Sequence, residues 1–511
     1  MNDDTFRAGT LVAPTFRLSE EQIRILHDSS LRVLDNLGIT CFNEEAVSLF
    51  EEAGCSTVIS ERDNAWNVRI PEKVVMEAIE SAPSRIVLGA PDRANRLILD
   101  SREARVYFGT GSETNIFLDT KIADFVSTTD SSMTLRHPIY KEKRGTILRL
   151  CDSARLCDVL PNVDFFIRNV NIQDEGISVS NKDVNVFFAS LLYTAKHVQA
   201  GLVDISSLDN VVRLGEIIAG GAASFQDNPL ISFIACLIKS PLQMIADTTQ
   251  KVIEIARRGL PLVISSSPQG GSTAPIQEEG MVSLINAEIL AGITLTQLVN
   301  RGTPVLYGAV PVRARLDTLH DFYGAPEFIH YNIDCVEMAR FYNIPCYSTA
   351  GVGDSKVPGI QATVEKLFSQ LAVAQSGAQY IHYAFGLLDR TNIFCPVQAI
   401  LDDAHISLVR EILRPPIVDE DVTEASIIEI RKVIASSTRL FARHIRKQMR
   451  RGLVSQPYGL EGEGDRDEVL ENACAKLEEI QGTADKQLSD EVIDEIYKKI
   501  PGVLPKDNFE L

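Results

Sequence analysis

The sequence predicts an α/β protein built on a (β/α)8 barrel of the TIM type, with an N-terminal helical and β-rich extension and C-terminal helices. Three observations predict it. From about residue 105 short apolar strands alternate with amphipathic helical stretches, the pattern of parallel strands joined by crossover helices. Eight such strands are present, the number that closes a barrel. The competing fold, an open doubly wound sheet, usually carries a G-x-G-x-x-G or P-loop after an early strand, and the chain has neither.

The elements follow in order. Residues 1–104 form the extension. Ser19-Glu20-Glu21-Gln22 has capping-box spacing and opens a helix whose apolar face is Ile23, Leu26, Leu31, Val33, Leu34 and Leu37. Pro71-Glu72 starts a second helix carrying Val74, Val75, Ala78 and Ile79, with proline at its first turn. The barrel occupies residues 105–416. Its strands centre on Val106 to Phe108, Asp164 to Arg168, Val198 to Leu202, Leu230 to Ala235, Pro261 to Ser265, Pro304 to Leu306, Pro345 to Ser348 and Tyr380 to Tyr383. Helical patterns fill the intervals, as at Leu242 to Arg257, Leu284 to Leu298 and Phe328 to Phe341. Beyond Pro415-Pro416, residues 417–511 read as charged helices. One is basic toward its end (Arg439, Arg443, Arg446, Lys447, Arg450, Arg451), either a solvated face that complements the helix dipole or a docking patch for an acidic protein. The glycine and acid segment Gly459 to Asp467 separates the last acidic helices.

Composition narrows the function classes. A net charge of −19 argues against nucleic acid or an anionic membrane surface as the main partner, since both need a basic face. Nine scattered cysteines with no C-x-x-C pair fit reduced thiols in a cytoplasmic protein rather than a disulfide framework or zinc site. The acidic N-terminus is followed by no signal-like apolar segment, and no apolar run reaches 18 residues, so no membrane span is expected. A homo-oligomer is expected.

In a barrel the chemistry lies where the chain leaves each strand. The histidines never fall in H-x-H or H-E-x-x-H spacing, so no metal is expected, and the G-x-S-x-G hydrolase elbow is absent. The strand ends instead carry aromatics: Phe108, Phe166, Tyr307, Tyr347, Tyr383 and Phe385. Aromatic faces attract alkylammonium cations, so such residues can build a quaternary ammonium site or can be plain core. Glu113, Glu278 and Glu279 could offset a positive charge, Arg313 and Arg315 could hold a carboxylate by paired hydrogen bonds, and His382 is the best-placed histidine. After the seventh strand, glycines 351 and 353 permit close approach to the backbone, and Asp354 and Ser355 can cap the helix that follows.

Several segments together resemble the trimethylamine methyltransferase family. They are Phe108-Gly109-Thr110-Gly111, the Ala274-Pro275 turn leading into Ala287-Glu288-Ile289-Leu290-Ala291-Gly292-Ile293, Gly302-Thr303-Pro304-Val305-Leu306-Tyr307-Gly308, Gly324-Ala325-Pro326-Glu327 and Gly351-Val352-Gly353-Asp354-Ser355-Lys356. Leu34-Asp35-Asn36-Leu37-Gly38-Ile39 and Ile70-Pro71 match as well. The resemblance implies a (β/α)8 barrel that moves a methyl group from a methylamine to the cobalt of a separate corrinoid protein, so the cobalamin belongs to that partner and none is tightly bound here. Trimethylamine members of the family carry pyrrolysine after strand seven. That slot falls here on Gly353, or alternatively Val352, and holds no such electrophile.

The resemblance is therefore to the pyrrolysine-lacking branch that acts on glycine betaine and other quaternary amines. A quaternary nitrogen already makes a neutral amine the leaving group, so it needs mainly a dry aromatic pocket that aims one methyl in line. On this reading the donor is a betaine such as glycine betaine, proline betaine or carnitine. Arg313 or Arg315 would hold its carboxylate; Phe108, Tyr307, Tyr347, Tyr383 and Phe385 would hold its cation; Glu113 or Glu278 would tune the field; and Gly353, Glu113 and His382 would form the catalytic set. Two alternatives stand beside it: a betaine-binding barrel without catalysis, and a lyase using Lys356 as a Schiff-base amine.

Overall fold

A computed structural model describes residues 5–62, 64–126, 134–416, 418, 420–441, 445–446, 458–462, 467–481 and 486–511. Its centre is a curled sheet of nine strands. Eight are parallel and match the eight expected positions: β1 (Arg105–Phe108), β2 (Phe165–Ile167), β3 (His197–Ala200), β4 (Ile231–Ala235), β5 (Leu262–Ser266), β6 (Val305–Ala309), β7 (Cys346–Thr349) and β8 (Tyr380–His382). The ninth, Thr10–Leu11, lies antiparallel against β1. At the other edge of the sheet, β2 is bridged to the end of β1 by a parallel pair, Gly109 with Phe165. The Asp164 N–H also donates to the Phe108 carbonyl at 2.7 Å.

Helices follow the strands as crossovers: α1 (Ile147–Val159), α2 (Val179–Tyr193), α3 (Leu208–Ala219), α4 (Ala246–Arg257), α5 (Glu278–Val299), α6 (Pro326–Phe341), α7 (Ile360–Gln375) and α8 (Pro396–Leu413). Among the described residues, α5 alone is long and apolar enough to cross a membrane by length and composition, and its most apolar window is 78% buried inside the protein. Its hydrophobicity is that of a helix covered on all sides by the sheet and its neighbours.

One long insertion was not legible in the sequence, whereas the β-rich end of the extension was expected. Ile116–Val126 and Thr134–Arg144 pair as a long antiparallel hairpin inserted between β1 and α1, which accounts for the wide first interval. A second hairpin, Arg85–Leu88 with Leu97–Asp100, inserts Ile86, Leu88, Leu97 and Leu99 into the same apolar cluster as Tyr107, Phe165, Tyr347 and Tyr380. In the extension, Ser19 caps the first helix with a full capping box, and the second starts at Glu72 after Pro71. Of the basic C-terminal run, Arg439 and Arg446 fall among the described residues, whereas Arg443, Lys447, Arg450 and Arg451 lie outside them, as does part of Gly459 to Asp467.

Candidate functional site

A pleated strand sends alternate side chains to opposite faces, so adjacent residues on one strand enter different environments. On the inner face Tyr107, Phe165, Ile167, Val263, Leu306, Tyr347 and Tyr380 form one cluster. The outer face belongs to the large core shared with the helices, including Phe108, Phe166, Ile264 and Tyr307.

Along the inner face runs a ladder of rings. Phe165 stacks on Tyr380 at 3.6 Å between centroids, Tyr380 on Tyr347 at 5.6 Å, Tyr347 on His382 at 4.1 Å, and His382 meets Tyr383 at 3.8 Å. The glycines of Phe108-Gly109-Thr110-Gly111 make room for its two ends. A Cβ at Gly109 would stand 2.1 Å from the Phe165 ring, and one at Gly111 would stand 2.5 Å from Tyr383 Cδ1. Tyr383 itself holds φ of 67°, a left-handed conformation that costs a bulky residue energy and recurs at functional sites.

At the carboxyl ends of the strands the ladder ends at Tyr383, which is half-buried. Cys236, just past β4, is the one accessible cysteine, the other eight being buried. Its Sγ lies 2.8 Å from Ser265 Oγ at the inner face of β5. Desolvation nevertheless raises the Cys236 thiol above its ordinary pKa, so the residue is exposed while its thiol is set against protein. Desolvation likewise raises the phenols of Tyr347 and Tyr383, both within electrostatic reach of Cys236. His382 donates or accepts at Nε2 with Thr349 Oγ1 at 2.7 Å, while its Nδ1 is buried without a protein partner. Burial lowers its pKa well below the usual imidazole range, so the ring is neutral.

A charged rim lies beside Tyr383 past Gly111, beginning at Ser112, whose hydroxyl donates to the Thr391 carbonyl at 3.1 Å. The next residue, Glu113, accepts from Arg168 Nη2 at 2.6 Å and lies 3.6 Å from Lys182. Arg168, at the end of β2, is 8% exposed and keeps Nε and Nη1 buried without partners. Among the described residues its guanidinium thus has spare donors on Nε and Nη1, which face different sides, while Nη2, the partner of Nε in a two-pronged contact, is held by Glu113. Opposite lies a cavity of about 350 Å³ lined by Gln269, His320, Asp321, Asp389, Arg390 and Asn392.

The remaining sequence candidates separate from this group. Phe108, Tyr307 and Phe385 are fully buried and pack in the core shared with the helices. Phe108 lies under Arg410 of α8, and the Tyr307 hydroxyl donates to Asn286 of α5 at 2.9 Å. Arg315 is exposed and committed to Asp317 at 3.0 Å. Arg313 is 3.8 Å from Glu327 and packs on Phe322, with Nε unpartnered. Glu278, at the start of α5, pairs with Arg17 and His330, while Glu279 and Lys356 are exposed. At Gly353 a Cβ would point toward Glu365 at 3.0 Å and Lys366 at 3.5 Å, that is, toward α7. Val352 instead packs with Tyr323, Phe328 and Tyr383. Cys236, Ser265, Thr349, Tyr380 and the spare donors of Arg168 were missed in the sequence. Counting alternate residues inward from each strand would have found all but Arg168.

The trimethylamine methyltransferase family matches residues 8–451 of the chain. The trimethylamine methyltransferase MttB of Desulfitobacterium hafniense (strain DSM 10664 / DCB-2) is 29% identical over 414 residues, covering 80% of this chain and 77% of the relative. That of Methanosarcina barkeri is 29% identical over 417 residues, covering 80% and 79%. The glycine betaine methyltransferase of Desulfitobacterium hafniense (strain Y51) is 24% identical over 435 residues, covering 85% and 84%.

Proposed function

The chain belongs to the trimethylamine methyltransferase family, and from that premise we propose that it moves a methyl group from a quaternary amine of the betaine type to Co(I) of a partner corrinoid protein. The observation that carries this reading is the inward ring ladder that ends at Tyr347 and Tyr383, the latter half-buried, within electrostatic reach of the exposed Cys236. Such rings attract a tetraalkylammonium through their faces without hydrogen-bonding it, and they keep water from competing. Similarity to a glycine betaine methyltransferase supports the donor class, as does the lack of a pyrrolysine-like side chain in the 351–356 turn.

The partner's corrinoid supplies the Co(I) nucleophile; this chain supplies the position. The quaternary nitrogen sits against the phenol faces of Tyr347 and Tyr383, with the donor methyl aimed outward. Arg168 meets the betaine carboxylate through a single remaining N–H in preference to Arg315, which Asp317 already occupies. Glu113 keeps Arg168 in place. As the methyl departs, its bonding pair stays on nitrogen and a neutral tertiary amine is released, so no proton transfer is required and the neutral state of His382 suits the step. Thiols can also accept a methyl group, but only as thiolates, and the raised pKa of Cys236 keeps its sulfur protonated. The bridge between Gly109 and Phe165 supports reading the curled sheet as a closed (β/α)8 barrel over residues 105–416, flanked by the extension 1–104 and the segment 417–511.

Purified protein mixed with Co(I) corrinoid protein and a panel of betaines tests the reading. Loss of the Co(I) absorbance with gain of methyl-Co(III) is expected for one donor, and no change with any of them overturns it. Iodoacetamide at alkaline pH, where the raised thiol ionises, should label Cys236 ahead of the eight buried cysteines in the native protein, and the active betaine should slow that labelling.

A further inference from the structure

We propose that Lys366 and Asp402, an ion pair buried behind the site, act as a positioning clasp that holds the turns after β7 and β8 together and thereby sets Tyr383 against the 351–354 segment. Lys366 on α7 and Asp402 on α8 are both 0% exposed, with Nζ 3.1 Å from Oδ2. Lys366 donates to two backbone carbonyls, Gly351 after β7 and Leu387 after β8. Asp402 accepts the Gly386 N–H at 2.7 Å.

Neighbours on α7 repeat the pattern. Ser369 Oγ accepts the Gly351 N–H at 3.0 Å and Gln370 donates to the Ala384 carbonyl at 2.9 Å. Glu365 accepts the Asp354 N–H at 2.7 Å. The two turns also join directly, Arg390 N–H to Gly353 O at 2.8 Å and Asp389 N–H to Ser355 O at 2.7 Å. Tyr383 lies in the middle of what is clasped, one residue before Ala384, in a backbone conformation that does not persist without such support.

A buried ion pair is a poor source of stability, because desolvation offsets most of its attraction and a well-packed apolar pair often serves as well. Desolvation lowers the Lys366 pKa here, in keeping with that cost. What an apolar pair cannot supply is a cation that bridges carbonyls from two separate turns. The charges therefore serve geometry first and stability second.

The test is the double variant Lys366→Met/Asp402→Leu, which removes both charges and leaves neither unpaired. Its Tm is expected to fall, because the Gly351 and Leu387 carbonyls, the Gly386 N–H and Gln398 Nε2 lose their partners, and hydrogen exchange is expected to speed up most in residues 350–356 and 384–390. A stably folded double variant with unchanged exchange in both turns overturns the proposal. The functional consequence rests on the methyl-transfer reading: a misplacement of about 1 Å predicts a loss of about 100-fold in kcat/KM for the quaternary amine, with KM for the corrinoid protein unchanged. Should the parent turn over no quaternary amine, that reading fails while the exchange measurement still decides the clasp. If the double variant does not accumulate, the parent protein decides it: the Gly351 and Gly386 amides should exchange at one shared rate, and unrelated rates overturn the proposal.

Discussion

Tyr347 and Tyr307 are both tyrosines near the ends of neighbouring parallel strands, both fully buried, yet they face opposite ways. Tyr347 joins the inward ladder with His382 and Tyr380. Tyr307 turns outward and spends its hydroxyl on Asn286. Tyr383 marks the limit of the rule: one residue past inward His382 it would count as outward, and its φ of 67° beyond the strand's end brings it back to the ladder instead. Residue type and nearness to a strand end do not assign a role; the parity of the residue on its strand does, because a shift of one position exchanges the faces. Inward residues near the carboxyl ends should answer to substrate, and outward ones to stability.

The largest effect that could break this division belongs to the outward set. Phe108→Ala removes a fully buried ring that packs beneath Arg410. A cost of about 3–5 kcal/mol in unfolding free energy is expected by denaturant titration, with KM for the amine unchanged in the protein that remains folded. A raised KM at full stability would place Phe108 in the site and break the parity rule.

Next comes an inward residue deep in the sheet. His197 is fully buried, bonded to the Gly89 carbonyl and Ser232 at 2.7 Å each, and desolvation lowers its pKa from 6.5 to about 4. Between those values the unfolded chain binds a proton that the folded chain refuses, so stability falls as pH drops from 6.5 toward 4. The shift corresponds to about 3 kcal/mol. His197→Gln should flatten that part of the pH profile of Tm; an unchanged acid limb would show that His197 is not its source.

Tyr383→Leu probes the inward set where the ladder ends. Cation–π contacts in a desolvated site contribute about 2 kcal/mol, so kcat/KM for the betaine should fall about 30-fold. Tm should move little, since leucine keeps the apolar contact and relief of the left-handed strain at residue 383 is not altered by the side-chain change. Equal losses for Tyr383→Leu and Tyr307→Leu in betaine binding would erase the distinction.

Much of the fold was legible because its signal is local. Each strand is a short apolar run before a polar turn, and all eight positions match within a few residues. The 116–144 hairpin was not, because its strands carry Asp119, Lys121, Asp124, Arg136, Lys141 and Lys143 along an exposed ribbon, and alternation of that kind reads as solvated loop. For the site, Tyr347, Tyr383, His382 and Glu113 were within reach of a sequence reading. Arg168 was not, since its relevance lies in two unpartnered nitrogens, a property of neighbours distant in sequence. Gly353 illustrates the opposite limit. Its position in the turn is plain in the sequence, but the direction a side chain would take there, toward Glu365 and Lys366, follows only from the helix packed behind it.

The smallest effect isolates parity with a single atom. Tyr307→Phe deletes one hydroxyl and nothing else, leaving Asn286 Oδ1 without that donor while its Nδ2 still bonds Ser30 and Tyr342 at 2.8 Å. The loss of one buried hydrogen bond predicts a decrease of about 1 kcal/mol in unfolding free energy. The matching change on the inner face, Tyr347→Phe, deletes a hydroxyl within electrostatic reach of Tyr383 and Cys236 and should shift kcat/KM rather than stability. Measured side by side, the two variants differ only in which face of the sheet loses an oxygen. If both move stability and neither moves catalysis, Tyr347 is core like Tyr307, and the quaternary amine must be held by Tyr383 alone.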